Sequence, residues 1–366
     1  MNPLVKLHTY RQSFWYDNIR RQFLHDGTLQ RLIDEDGLRG MTSNPSIFEQ
    51  AIGKSDDYDD QMKALIAQDA DVNTIYEALV LADIQTACDL FANLYTQSQG
   101  ADGYVSLEVS PHLARDTANT ISEARRLHQA VSRPNVMIKV PATPEGIPAI
   151  RQLIGEGINI NITLMFSMAH YEAVAEAYME GLKQLAAAGG NLHQIASVAS
   201  FFVSRVDSAV DKKLAEQNTA AANALLGQTA IANSKQVYQR FKELFHGDTF
   251  APLRAMGAPV QRLLWASTST KNPNYPDTIY VNNLIGPETV NTMPPTTVDA
   301  FRDHGLLANT LEEGVEEAQL VLDNLRQRGI NLDDITEQLQ IDGVQAFAKS
   351  FTGLMAAITE KRGRLL

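Results

Sequence analysis

Apolar and polar residues follow two rhythms along the chain. Short runs with a period of two read as strands, and longer runs with apolar residues three or four apart read as helices. Residues 13–17, 38–44, 104–110, 136–141, 158–166, 195–203, 263–267 and 289–293 carry the strand pattern. Residues 19–33 (interrupted at Gly27), 58–68, 72–96, 111–131, 146–155, 168–188, 206–218 and 229–245 carry the helix pattern. Residues 2–10 form a short lead-in, and 276–284 fit helix and strand equally. From Thr297 onward the pattern is helical, with breaks near Gly305 and Gly329. Local punctuation agrees. Pro45 biases Asn44 toward extended geometry and closes the second strand, with Ser46 placed to cap the next turn. Pro111 sits in the first turn of its helix, and Ser167 is placed to cap 168–188.

Strand and helix therefore alternate about eight times, which implies a parallel sheet. The predicted fold is α/β, a closed (β/α)8 barrel, with an open doubly wound sheet as the competitor. Residues 1–366 are expected to form one domain, those from about 308 to 366 being additional helices packed outside it. No internal repeat or low-complexity segment interrupts the pattern.

The parity of the strands points beyond fold. Residues two apart share a face. Val105, Leu107 and Val109 lie opposite Tyr104, Ser106, Glu108 and Ser110. Ile158, Ile160, Ile162 and Leu164 lie opposite Asn159, Asn161 and Thr163. Gly40, Thr42 and Asn44 share a face, and Lys139 goes with Met137 and Pro141, away from Val136, Ile138 and Val140. One face must meet the surrounding helices. The other points into the barrel and carries polar groups on four consecutive strands. Such groups need one another or a ligand.

Lys139 is the sharpest anomaly. An ammonium inside an apolar strand loses several kcal/mol of hydration (of the order of magnitude usual for buried ions) unless it is paired or neutral. A neutral lysine attacks carbonyls. Residues 142–146 are turn-rich, so Lys139 sits near the carboxyl end of its strand, where α/β folds place chemistry. Taken singly, every candidate has a plain structural reading. Glu108 and Lys139 form a buried ion pair; Asn44, Asn161, Thr42, Thr163, Ser200 and Ser267 satisfy backbone groups. Phe202 is core, Asp17 a cap or surface acid, and Arg205 and Lys271 surface charges. The joint pattern favours a site.

Composition narrows the classes. The net charge is −12, from 31 basic and 43 acidic residues spread along 366, which disfavours nucleic acid and anionic membrane as partners. One cysteine excludes an intrachain disulfide and a thiolate cluster. The first seventeen residues hold no apolar signal core, and no run is long enough to span a membrane, so a cytoplasmic location is expected. The eight histidines show no metal-binding spacing. No P-loop, G-x-S-x-G elbow or C-x-x-C occurs. Gly155-Glu156-Gly157 begins like a dinucleotide fingerprint, but Ile160 stands where the third glycine belongs.

Several stretches resemble one family. Residues 40–48 (GMTSNPSIF) resemble the first transaldolase signature, and 136–153 (VMIKVPATPEGIPAIRQL) the second, which holds the Schiff-base lysine. Residues 157–167, 200–205 and 265–271 are similar to the family too, in the same order, and the likeness is greatest to the longer bacterial and plant-like members. The resemblance implies a barrel permuted relative to other Schiff-base (class I) aldolases, with the lysine on the fourth strand. It implies transfer of a dihydroxyacetone unit from sedoheptulose 7-phosphate to glyceraldehyde 3-phosphate, giving erythrose 4-phosphate and fructose 6-phosphate, in the pentose phosphate pathway. Lys139 would be the nucleophile. Glu108 would move protons through a water near Thr163, and Asp17 would accept the C4 hydroxyl proton. Asn44, Asn161, Thr42 and Ser200, with Phe202 and Ser267, would hold the sugar, and Arg205 and Lys271 its phosphate. The partners are then sugar phosphates, with no cofactor and no metal, and the chain would act as a monomer or homodimer. Two rivals stand beside this reading: an aldolase that releases free dihydroxyacetone, against which Glu108 argues, and a non-catalytic sugar-phosphate-binding module.

Overall fold

The computed structural model describes residues 2–366. Eight strands form its centre: β1 (Gln12–Asp17), β2 (Gly40–Thr42), β3 (Tyr104–Glu108), β4 (Val136–Pro141), β5 (Ile160–Met165), β6 (Ser197–Phe202), β7 (Arg262–Ala266) and β8 (Thr289–Met293). All pair in parallel in chain order, and β8 closes on β1. The predicted (β/α)8 barrel is what forms. Closure leaves no strand edge unpaired.

The period-two pattern explains the packing. Val105, Leu107, Ile138, Val140, Ile160 and Ile162 are buried against the outer helices. The inner positions nearer the amino ends carry Trp15, Tyr104, Met137 and Val198, around a cavity of about 390 Å3. Several polar groups at that end are engaged. Arg262 donates to Ser13 Oγ, to the carbonyls of Thr289 and Ala101 and to Asp102, and Arg39 donates to Asp102 from the other side. Gly40 has a steric reason: a Cβ there would lie 2.4 Å from Cε2 of the Trp15 indole, which fills the barrel beside it. Gly40→Ala is therefore expected to lower stability by about 1–3 kcal/mol through overpacking, read as a lower urea midpoint at unchanged m-value. An unchanged midpoint would show that the indole can move aside.

Several boundaries differ from the sequence pattern, each for a local reason. The second strand ends at Thr42 rather than at Asn44, and Asn44, not Ser46, caps the helix Pro45–Gly53 by accepting from the Ile47 N–H. Residues 111–131 divide into a 3-10 turn, Pro111–Leu113, and a helix, Thr117–Val131, because Asp116 caps the latter afresh. β5 begins at Ile160, and its register against β6 shifts between Ile162 and Met165, with Leu164 at φ 62°. That bulge breaks the strict alternation expected up to residue 166. Residues 276–284 contain a single helical turn, Ile279–Asn282.

Beyond β8 come the helices Pro295–His304, Val315–Gln327 and Leu332–Leu365. They lie outside the barrel wall, but the last runs over the carboxyl ends of the strands. Gln340 Nε2 donates to the carbonyls of Ala142 and Leu164, each at 3.0 Å, beyond β4 and at the β5 bulge. Further along, Lys361 pairs with Asp59 at 2.5 Å. Gly343 lets this helix sit close, since a Cβ would come within 2.8 Å of Leu164 Cδ2.

Candidate active site

The carboxyl ends of the strands surround a cavity of about 280 Å3. Most strands place a residue there by position alone: Asp17 and Thr42 end β1 and β2, Thr163 and Ser200 are inner residues of β5 and β6, Ala266 ends β7, and Thr292 comes from β8. Lys139 of β4 lies at its base, 5% exposed. Of the twelve residues expected from sequence, ten line this cavity: Lys139, Asp17, Thr163, Asn44, Thr42, Ser200, Phe202, Arg205, Ser267 and Lys271. Glu108 and Asn161 do not. They flank Lys139 in register on β3 and β5, so the three form one inner row.

The Lys139 ammonium donates to the Ser43 carbonyl at 3.1 Å and lies 3.4 Å from Glu108 Oε2. That ion-pair contact is too long for a well-formed hydrogen bond, and Oε2 has no other partner among the described residues. Burial pushes the Glu108 carboxyl above its usual range, against the opposing pull of Lys139. Glu108 is thus a carboxyl that burial favours in its protonated form, beside a buried amine. Asn161 is engaged at both ends, donating to Ser106 Oγ at 3.0 Å and accepting from Ser200 Oγ at 2.7 Å. This fixes Ser200 rather than leaving Asn161 on the cavity surface. Thr163 Oγ1 is buried, faces the cavity and has no partner among the described residues. It is therefore available to a ligand or a water.

Across the cavity, Thr42 Oγ1 donates to Asp17 Oδ1 at 2.6 Å and stands 2.7 Å from Thr292 Oγ1. Thr42 has one proton, so Thr292 is the donor of the second bond. The chain orients Asp17, whose carboxyl is raised by burial while Lys139, Thr42, Lys271 and Arg205 pull it back. Asn44 spends its Oδ1 on the cap and on Ser46 Oγ, which leaves its amide NH2 for the cavity. Arg205, in the first turn of Ser204–Gln217, lies 5.1 Å from the Phe202 ring centroid. Among the described residues it has no carboxylate within ion-pair distance. Lys271 Nζ donates to Ser269 Oγ at 2.5 Å. Burial and the nearby Arg205 both lower the lysine's pKa, so two cations share one side of the cavity. That arrangement suits a phosphate. Ser267, at φ 55°, contacts Ser204 Oγ at 3.0 Å and ties the β7 loop to the helix bearing Arg205.

Sequence reasoning missed Ser46, Ile47, Ser269, Thr292, Pro294 and Phe347, all on the cavity wall. Thr292 was within reach, since it shares a face with Val290 in a strand already recognised. Phe347 was not. It lies on the helix Leu332–Leu365, and its ring centroid is 5.8 Å from Lys139 Nζ. Among the described residues no group of His, Cys, Asp and Glu side chains is arranged to hold a metal, and no helix is long and apolar enough to cross a membrane.

The family model described as transaldolase/fructose-6-phosphate aldolase matches residues 14–358. A transaldolase of Thiobacillus denitrificans is 49% identical, covering 98% of this chain and all of its own length. One from Trichodesmium erythraeum is 46% identical over the full chain and 98% of the relative. A protein named transaldolase 2 from a Nostoc species is 44% identical over 99% and 98%.

Proposed function

The chain belongs to the transaldolase/fructose-6-phosphate aldolase family and is a transferase, and from that premise we propose that it transfers a dihydroxyacetone unit through a Schiff base on Lys139. The donor is sedoheptulose 7-phosphate and the acceptor glyceraldehyde 3-phosphate, giving erythrose 4-phosphate and fructose 6-phosphate, a pentose phosphate pathway step carried out in the cytoplasm. The observation that carries the reading is a buried lysine amine, open to a cavity on one side and beside a raised, hydrogen-bond-poor carboxyl on the other.

The chemistry follows from the positions. The Lys139 amine, relieved of its proton by Glu108, attacks the ketose carbonyl carbon. Glu108 then protonates the carbinolamine hydroxyl, which leaves as water as the C=N bond closes. Asp17, oriented by Thr42, takes the C4 hydroxyl proton. The C3–C4 bond breaks, its electron pair flows into the iminium, and an enamine remains on Lys139 while the aldose leaves. The acceptor aldehyde then takes the enamine carbon and recovers the proton from Asp17. Hydrolysis of the new imine, with Glu108 as base, frees the product. Arg205 and Lys271 hold the phosphate, Thr163 a water, and Asn44 and Ser200 the hydroxyls of the three-carbon unit. The rival outcome, release of free dihydroxyacetone, requires the enamine carbon to take a proton before an acceptor aldehyde reaches it.

The test is reductive trapping. Borohydride added with fructose 6-phosphate should leave a reduced adduct on the peptide containing Lys139. An adduct on another residue, or none, would overturn the mechanism.

A further inference from the structure

The proposed cycle makes a water on forming each imine and consumes one on releasing it. Glu108, which handles both, does not line the substrate cavity. It lines a second, narrow crevice of about 40 Å3 that opens between the helices Val72–Gln97 and Thr117–Val131 and the final helix. The walls of that crevice include Tyr76, Ser110, Glu123, Arg126 and Phe351. Tyr76 and Phe351 meet edge to face, with centroids 5.3 Å apart. At the outer end Arg126 is tied to Glu123 at 2.8 Å and to Glu77 at 2.6 Å, and half of its side chain is in solvent. At the inner end stands Glu108, whose Oε2 lies 3.4 Å from Lys139 Nζ. The crevice is wide enough for a water, which needs roughly 10–15 Å3. A sugar phosphate in the cavity fills the other approach to the amine, and Phe347 narrows it further.

We propose that this crevice is the passage by which the water of imine formation leaves for bulk solvent, and the water of imine hydrolysis enters, with the Tyr76 hydroxyl as its hydrogen-bonding station on the way. The inference rests on the Schiff-base reading above. The step it serves is balanced. The Glu108 carboxyl gives its proton to the carbinolamine hydroxyl, and the C2–O bond breaks with its electron pair on the departing water. The nitrogen lone pair closes the C=N bond, and Glu108 is left as a carboxylate. The water exits past Tyr76, and Glu108 stays a carboxylate until it takes a proton from the water that hydrolyses the product imine. The Tyr76 hydroxyl suits this role because burial, Glu123 and Glu108 all raise its pKa, so it stays neutral and both donates and accepts.

The test uses isotope exchange. The full-length enzyme is incubated with fructose 6-phosphate in oxygen-18 water without acceptor. Label entering the C2 carbonyl, corrected for the enzyme-free rate, is divided by the number of imines formed, taken from borohydride adduct kinetics. Two plugs enter from opposite walls, Ser110→Leu at the end of β3 and Phe351→Trp on the final helix. In both, label per imine should fall several-fold, because the trapped water is recaptured. Transfer between two sugar phosphates should fall much less, because the cycle reuses that water. Tyr76→Phe should leave the adduct yield intact and lower label per imine as well. Equal label per imine in the wild type and both plugged variants would overturn the proposal. Because the readout is a ratio, partial misfolding of a variant cancels. A wild type that forms no adduct and exchanges no label would instead overturn the Schiff-base mechanism beneath it.

Discussion

Lys139→Ala should reduce transfer by about four orders of magnitude or more, the scale of losing a covalent nucleophile, while the protein remains folded. Lys139 is not part of the apolar packing. Its neighbours Ile138 and Val140 face the helices, whereas its own side chain faces Glu108 and the cavity. Breaking a buried ion pair costs about 3–5 kcal/mol when the remaining charge cannot be relieved. Here it can be. The Glu108 carboxyl is already raised by burial, and Lys139 is what lowers it. Removing the lysine moves it further up, so Glu108 takes a proton instead of standing as an unpaired charge. A carboxyl raised in the folded state and ordinary in the unfolded one gives a definite sign. Below the unfolded pKa both states are protonated and nothing is lost. As pH rises from there toward the folded pKa, stability falls. The variant should therefore melt at a lower temperature near neutrality than in mild acid, and Lys139→Ala combined with Glu108→Gln should lose that pH dependence. Circular dichroism melts across this pH range, with a transfer assay beside them, test the claim. An unfolded single variant at every pH would mean that the pair is a structural ion pair.

Glu108→Gln should leave the amine in place and remove the proton carrier. Transfer is expected to drop by about 10²–10⁴, the usual range for a general acid or base. The adduct on Lys139 should still form, more slowly, since attack on the carbonyl survives and dehydration is what suffers. Rapid-quench trapping separates these steps. If adduct formation keeps its wild-type rate while transfer falls, the defect lies in C–C bond cleavage and the role of Glu108 is wrong. Asp17 gives the contrast, because it must be ionised to accept the C4 proton. Its burial-raised carboxyl implies that wild-type transfer declines on acidification above the ordinary carboxylate range. The share of that acid limb due to Asp17 should be lost in Asp17→Asn, leaving the dependence that the raised Glu108 carboxyl imposes.

The site was legible in the sequence wherever a period of two carries it. Thr42, Lys139 and Thr163 are inner residues by parity, which points them inward, whereas Asp17 and Ser200 came from the family resemblance. Parity loses its hold where backbone leaves the extended region. Leu164 and Ser267 adopt left-handed conformations that no side-chain pattern announces, one within the β5 bulge and the other in the β7 loop. Asn44 was read as a strand end because of Pro45. The same dipeptide also spells a helix cap followed by proline in the first turn, and that is what forms. Asn161 was seen as inward, but its two hydrogen bonds depend on which residues β3 and β6 bring beside it. Phe347 was out of reach for a different reason. The helix bearing it buries Ile335, Gln340, Gly343, Phe347 and Leu354, a stripe that says it packs on something without saying on what.

That last wall carries a consequence for the order in which the enzyme comes into being. The barrel closes with β8, which ends at Met293, and the helix carrying Phe347 begins only at Leu332. A growing chain can therefore complete its ring of strands, and bring Lys139 beside Glu108, well before Gln340 has emerged to bond the carbonyls of Ala142 and Leu164. During that interval the amine is already assembled and unshielded. On the proposed mechanism, a nascent or clipped chain would then expose a reactive lysine to any passing aldehyde or ketone, and the final helix would guard it against that chemistry.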